Sequence, residues 1–120
     1  MSARPWPTDL VFDRKAKQLH ISFDDGAKFD VPFELLRIES PSAENKGHGG
    51  EVPPPVRGKA NVGVVRAEAV GRYAVRIVFD DGHDTGLYSW DLLYDLGANK
   101  DERLRVYRMT LEERMLRDEA

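Results

Sequence analysis

One segment of this chain occurs twice, and that repetition constrains the fold more than any other feature. Leu19-His20-Ile21-Ser22-Phe23-Asp24-Asp25-Gly26 is answered by Val75-Arg76-Ile77-Val78-Phe79-Asp80-Asp81-Gly82, which begins 56 residues later. Each copy alternates apolar and polar residues, a pattern that in extended backbone turns one face to a core and the other to water. Each then reaches Phe-Asp-Asp-Gly and runs into a second short segment. Glycine accepts a left-handed φ without a Cβ clash, so Asp-Gly between two alternating runs marks a hairpin turn. With one residue of slippage, Phe33-Glu34-Leu35-Leu36 matches Trp90-Asp91-Leu92-Leu93, an aromatic residue followed by an acidic-Leu-Leu helix start. The chain reads as two strand–strand–helix units.

Helix signals agree with that reading. Pro32 has its φ pre-set for a first turn, Ser89 can accept a bond from an unpaired amide, and Glu34 and Asp91 fall near positive helix N-termini. The second helix is expected to stop at Gly97, after Leu92, Leu93 and Leu96 have formed a stripe. Further strands are expected at Asp9–Phe12 and Gly63–Val70, with Val64, Arg66 and Glu68 on one face and Val65, Ala67 and Ala69 on the other. The expected fold is α+β, a mainly antiparallel sheet of about five or six strands plus a C-terminal helix over about 99–119. That helix carries Leu104, Tyr107, Leu111 and Met115 at helical spacing and a capping-box pattern that restarts it at Thr110. Its stripe either packs on the parent domain or docks a partner. Residues 40–62 contain four glycines and four prolines, which excludes a long helix or an interior strand, and the loop from about 46 to 61 is expected to be mobile.

Composition narrows the function classes. The 120 residues fit a single domain, 1–120, with a core over about 6–98. A formal charge of −3 lacks the basic excess that several phosphate contacts demand, so nucleic acid is not an expected partner. No window approaches the ~20 apolar residues of a membrane span, and MSARPWPTDL has no apolar signal core, which makes the cytoplasm the expected address. With no cysteine there is neither a thiolate nucleophile nor Cys-based metal ligation. The acidic patch Asp80-Asp81-Gly82-His83-Asp84 invites a general base or a metal site, but Asp24-Asp25-Gly26 repeats the turn without a histidine, so the aspartates read as structural and His83 alone stands out. His20 reads as a solvent-face residue in mid-strand, and His48 lies in the glycine-rich run 46–50, which is no phosphate loop. No spacing supports a catalytic triad, and no enzyme activity or cofactor is expected.

Two stretches carry a family resemblance: Leu36-Arg37-Ile38-Glu39-Ser40-Pro41-Ser42-Ala43-Glu44-Asn45-Lys46-Gly47-His48-Gly49 and Phe79-Asp80-Asp81-Gly82-His83-Asp84-Thr85-Gly86-Leu87-Tyr88-Ser89-Trp90. They resemble the gamma-butyrobetaine hydroxylase-like N-terminal domain family, in particular its short, uncharacterised, stand-alone bacterial members. The resemblance implies an α+β domain. In the oxygenases that name the family it implies a structural zinc held by three cysteines and a histidine, whose positions here are Ser40, Ser42, Asn45 and His83. Hydroxyls and an amide do not replace thiolates for Zn²⁺, so the site is expected to be degenerate and metal-free. The family is also similar to a terminal domain of P-loop ATPases that carry iron–sulfur clusters. The resulting expectation is a non-enzymatic binding or adaptor domain for a protein partner, accessory to iron–sulfur or other cofactor assembly. The alternative is a small-molecule or anion-binding domain using the 40–50 loop, with Glu44, Lys46, His48 and His83 as binding candidates.

Overall fold

The computed structural model describes residues 5–41, 58–84 and 86–119. Its order is β1 (Pro7–Asp13), β2 (Gln18–Phe23), β3 (Lys28–Pro32), α1 (Phe33–Ile38), β4 (Val64–Val70), β5 (Ala74–Phe79), β6 (Gly86–Ser89), α2 (Trp90–Ala98) and α3 (Lys100–Glu119). The six strands form two antiparallel three-stranded sheets, β1-β2-β3 and β4-β5-β6. Each repeat unit is therefore the expected strand–strand–helix element with one further strand ahead of it.

The repeat is also a repeat of hydrogen bonds. Phe23 N–H donates to the Ala27 carbonyl and Phe79 N–H to the His83 carbonyl, both at 2.9 Å. Gly26 N–H closes on Phe23 and Gly82 N–H on Phe79, at 3.1 and 3.3 Å. These are three-residue loops in which only the glycines take the left-handed conformation, at φ +90° and +92°. The aspartates serve differently: Asp25 Oδ1 accepts the Ala27 N–H at 2.9 Å and Asp81 Oδ1 the His83 N–H at 3.0 Å. Each unit ends alike as well, with Phe33 N–H donating to Lys17 O and Trp90 N–H to Tyr73 O.

Alternation places Leu19, Ile21 and Phe23 of β2, and Val75, Ile77 and Phe79 of β5, in one core shared by both sheets. Phe33, Leu35 and Leu36 of α1 and Leu93 and Leu96 of α2 close it, and Phe33 and Tyr88 are buried as anchors while Trp90 is half-buried. The Ser89 side chain accepts the Leu92 N–H at 3.1 Å and caps α2. Pro32 lies one position earlier than expected, as the extended N-cap of α1.

Three local expectations are corrected. A register shift between Val64 and Arg66 inserts Val65 as a bulge, so Val64 shares the core face with Ala67 and Ala69 rather than with Arg66 and Glu68. Gly97 does not stop α2, which runs through Ala98. A Cβ at Gly97 would lie 2.6 Å from Phe29 Cβ, so this glycine serves close packing against β3. Thr110 does not restart the last helix either: α3 is continuous, and Thr110 Oγ1 donates to the Val106 carbonyl at 2.9 Å.

The start of α3 is fixed by Leu104, which joins the core, and by Arg103, which bridges Glu39 beyond α1 and Asp95 of α2. Tyr107 and Leu111 are half-buried, whereas Val106, Met109 and Leu116 are exposed. Among the described residues, no helix is long and apolar enough to cross a membrane. Residues 46–57 of the loop expected to be mobile lie outside the described residues.

Gly97→Ala is expected to destabilise the protein by about 1–3 kcal/mol, because Phe29 is held by Phe23 and Tyr94 and has little room to retreat. Urea unfolding measures it; an unchanged midpoint would contradict the close-packing role.

Candidate functional site

The two stretches singled out in the sequence meet. Ser40, two residues beyond the end of α1, and His83, just after the β5–β6 turn, are 4% and 6% exposed, and Ser40 Oγ lies 2.8 Å from His83 Nε2. Ser42, Glu44, Asn45, Lys46 and His48 lie outside the described residues. Of the proposed binding candidates, the structure therefore describes His83, and it describes that imidazole as buried and hydrogen-bonded.

Around this pair stands a polar cluster that sequence reasoning did not assemble. Tyr88 of β6 is fully buried and its hydroxyl donates to the Leu36 carbonyl. Asp81 is bracketed by Arg37 Nε at 2.8 Å and Lys59 Nζ at 2.7 Å. Gly86 makes room: a Cβ there would stand 2.6 Å from Ser40 Oγ and 2.9 Å from Tyr88 Cε1. Burial works to raise the Asp81 carboxyl, but hydrogen bonds from Lys59, the His83 backbone N–H and Arg37, together with the Arg37 charge, hold it well below the usual carboxylate range. Burial pushes the Tyr88 phenol well above its ordinary value, with Ser40 and Arg37 offsetting only part of that rise. One donor is left over: Arg37 Nη1 is buried with no hydrogen-bond partner among the described residues.

The repeat explains what is unusual about this cluster, because the turn of the first unit and the helix of the second build the equivalent junction from different residues. There Ala27 stands where His83 does, Phe29 where Gly86 does, Gly97 where Ser40 does, and Tyr94 where Arg37 does. Tyr94 donates to Asp25 Oδ2 at 2.6 Å, just as Arg37 donates to Asp81 Oδ2. The rings of Phe23, Phe29 and Tyr94 pack edge to face with centroids 4.9–6.1 Å apart. One junction is thus dominated by aromatic rings, and its counterpart by polar and charged groups. Writing the two repeats against each other beyond Phe-Asp-Asp-Gly would have exposed the contrast, since only then do Ala27 and His83, or Tyr94 and Arg37, fall into register.

No group of three or more His, Cys, Asp or Glu side chains able to hold a metal occurs among the described residues. Ser40 and His83 also fit zinc poorly as a pair. The serine is a neutral hydroxyl, and the imidazole nitrogen facing it is engaged in their hydrogen bond. His20 is elsewhere, on the outer face of the first sheet, between Asp30 at 2.6 Å and Asp13 at 3.2 Å. Hydrogen bonds to Asp30 and then Asp13 raise its pKa. That position agrees with the solvent-face reading.

Asp81→Asn is expected to lower stability at pH 7 by about 1–3 kcal/mol through loss of charge-assisted bonds. The folded-state pKa of Asp81 is depressed, so its contribution is present above the unfolded-state value near 4 and disappears as pH falls through the lower folded value. The gap between wild type and variant should therefore close in acid. A gap independent of pH between 7 and 2 would contradict the assignment.

No curated protein matches the chain. One protein solved by solution NMR is 48% identical over 96% of this chain and 86% of its own, with a TM-score of 0.80. A second, also solved by NMR, is 40% identical over 92% and 86%, with a TM-score of 0.78. A crystal structure of a protein of unknown function from Acidithiobacillus ferrooxidans, of the DUF971 family, is 33% identical over 77% and 92%, with a TM-score of 0.64. The model of the gamma-butyrobetaine hydroxylase-like, N-terminal family matches residues 10–94, which include both halves of the repeat and the Ser40–His83 junction, and the chain belongs to that family.

Proposed function

We propose that this chain is a non-enzymatic binding domain, an adaptor that acts on another protein, in which the family's metal position has become a hydrogen-bonded core junction. The observation that carries the reading is the 2.8 Å contact between Ser40 Oγ and His83 Nε2 inside the fold. It joins two segments that a bound metal would otherwise join, and it turns the candidate reacting groups toward each other rather than toward a substrate. Zinc wants deprotonated sulfur or imidazole in a closed tetrahedron, and this chain has no cysteine to supply it. Similarity to the terminal domain of iron–sulfur ATPases makes an assembly factor or cluster carrier the first class of partner to test.

One observation favours a second reading, that of an anion-binding domain. Arg37 Nη1 is a buried donor without an acceptor among the described residues, next to Asp81 and the Ser40–His83 pair. A small carboxylate or inorganic anion would satisfy it.

Two measurements test these readings. Elemental analysis of protein purified without a histidine tag should find far less than one zinc or iron per chain, and a one-to-one metal that resists EDTA would overturn the degenerate-site assignment. Purification under native conditions should retain one stoichiometric protein. Retention of none, together with a rise in melting temperature on adding phosphate or small carboxylates that Arg37→Ala abolishes, would replace the adaptor reading with the anion-binding one.

A further inference from the structure

The repeat exposes a second asymmetry, on the opposite edge of the sheets from the helices' cap positions. On β1 the core-facing residues are Leu10 and Phe12, opposite buried Ile21 and Leu19. The bulge at Val65 brings Ala67 and Ala69 of β4 into the corresponding places, opposite Ile77 and Val75. Two large side chains of one unit are thus two methyl groups in the other, and both alanines are exposed although they face the core side. A groove of about 510 Å³ lies over these positions, lined by Leu10, Phe12, Ala67, Ala69, Val75 and Trp90.

The walls and the charge of this groove specify an occupant. Both walls, β1 and β4, are edge strands, paired on one side only within the described residues. An edge strand offers a row of backbone donors and acceptors, which favours an extended chain over a compact ligand. Arg14 and Arg66 also line the groove and, among the described residues, no carboxylate does, in a chain whose formal charge is −3. Arg14 donates to the Val65 carbonyl at 2.7 Å and so ties the end of β1 to the bulge of β4. Arg66 is shared with Glu68 at 2.5 Å.

We propose that the groove between β1 and β4 is a docking site for an extended segment of a partner protein. The segment adds alongside an edge strand, places large apolar side chains over Ala67 and Ala69, and carries acidic residues toward Arg14 and Arg66. This rests on the binding-domain reading and gives that reading a surface.

The test uses a fluorescein-labelled peptide of alternating leucine and glutamate, followed by anisotropy and by ¹⁵N chemical shifts of the full chain. Saturable binding should shift amides of β1 and β4. The double variant Ala67→Leu, Ala69→Phe fills the groove with side chains of the size β1 already carries, and should weaken binding at least tenfold while keeping a cooperative melt. Arg14→Glu, which reverses the charge and also gives up the bond to the Val65 carbonyl, should weaken binding and reduce its salt dependence while keeping a cooperative melt. A peptide with lysine in place of glutamate should bind at least tenfold more weakly. Equal affinity for the filled variant, shifts centred on Ser40 and His83, displacement of the peptide by decanoate, or a dimer that excludes the peptide would each overturn the proposal. The groove and the adaptor role fail separately. If the filled variant still retains the co-purifying protein, the groove is the wrong surface and the adaptor reading stands. If the wild type retains no protein, the adaptor reading itself fails.

Discussion

The rest of this structure depends on an exchange of contacts between its two halves. Each hairpin turn holds an aspartate whose first oxygen closes its own turn and whose second oxygen reaches the helix of the other unit. Asp25 accepts from Tyr94 of α2, and Asp81 accepts from Arg37 of α1. A three-stranded sheet with one short helix has too little apolar surface to offset the ordering of its own backbone. Crossing the helices onto opposite turns lets β2 and β5 share one core, with Leu19, Ile21, Ile77 and Phe79 all essentially excluded from solvent. Glycine enters this exchange for a steric reason at Gly97 and Gly86, where the helix end of one unit meets the third strand of the other.

Much of this was legible because it is encoded in short-range pattern. The alternation in Leu19–Phe23 and Val75–Phe79, the Asp-Gly turns and the Ser89 cap are local, and each was readable from its own few residues. What escaped reading depends on contacts remote in sequence. Gly97 looks like a helix stop until Phe29 is seen against it. Val65 looks like one member of an alternating strand until the register with β5 makes it a bulge, and that bulge alone turns Ala67 and Ala69 inward. The division of the strands into two sheets, with β1 and β4 each at an edge, is likewise not marked in the local pattern. At the site, the approach of Ser40 to His83 was anticipated from the family resemblance. The roles of Arg37, Lys59 and Tyr88 were not, since nothing in their own neighbourhoods distinguishes them from surface cations or a core ring.

Quasi-equivalence gives a rule for separating scaffold from specialisation. Positions that match across the repeat, such as Phe23 and Phe79 or Gly26 and Gly82, are what the unit needs in order to fold. Positions that differ in kind are where the halves have been put to different uses. His83 against Ala27 and Arg37 against Tyr94 make one junction polar, while Ala67 against Leu10 and Ala69 against Phe12 open one side of the core. Both departures fall in the second unit or on residues that contact it. The first unit thus serves as the internal reference for what the second has changed.

Residue-resolved urea unfolding, with the amides of Ile21 and Ile77 reporting on the first and second units, tests the interlocking of the halves most directly. The account predicts one shared midpoint in the wild type. It also predicts that Asp25→Ala and Asp81→Ala each lower that midpoint equally at both amides, because neither unit survives without the other's helix. Two separate midpoints, each moved only by the substitution in its own unit, would contradict it.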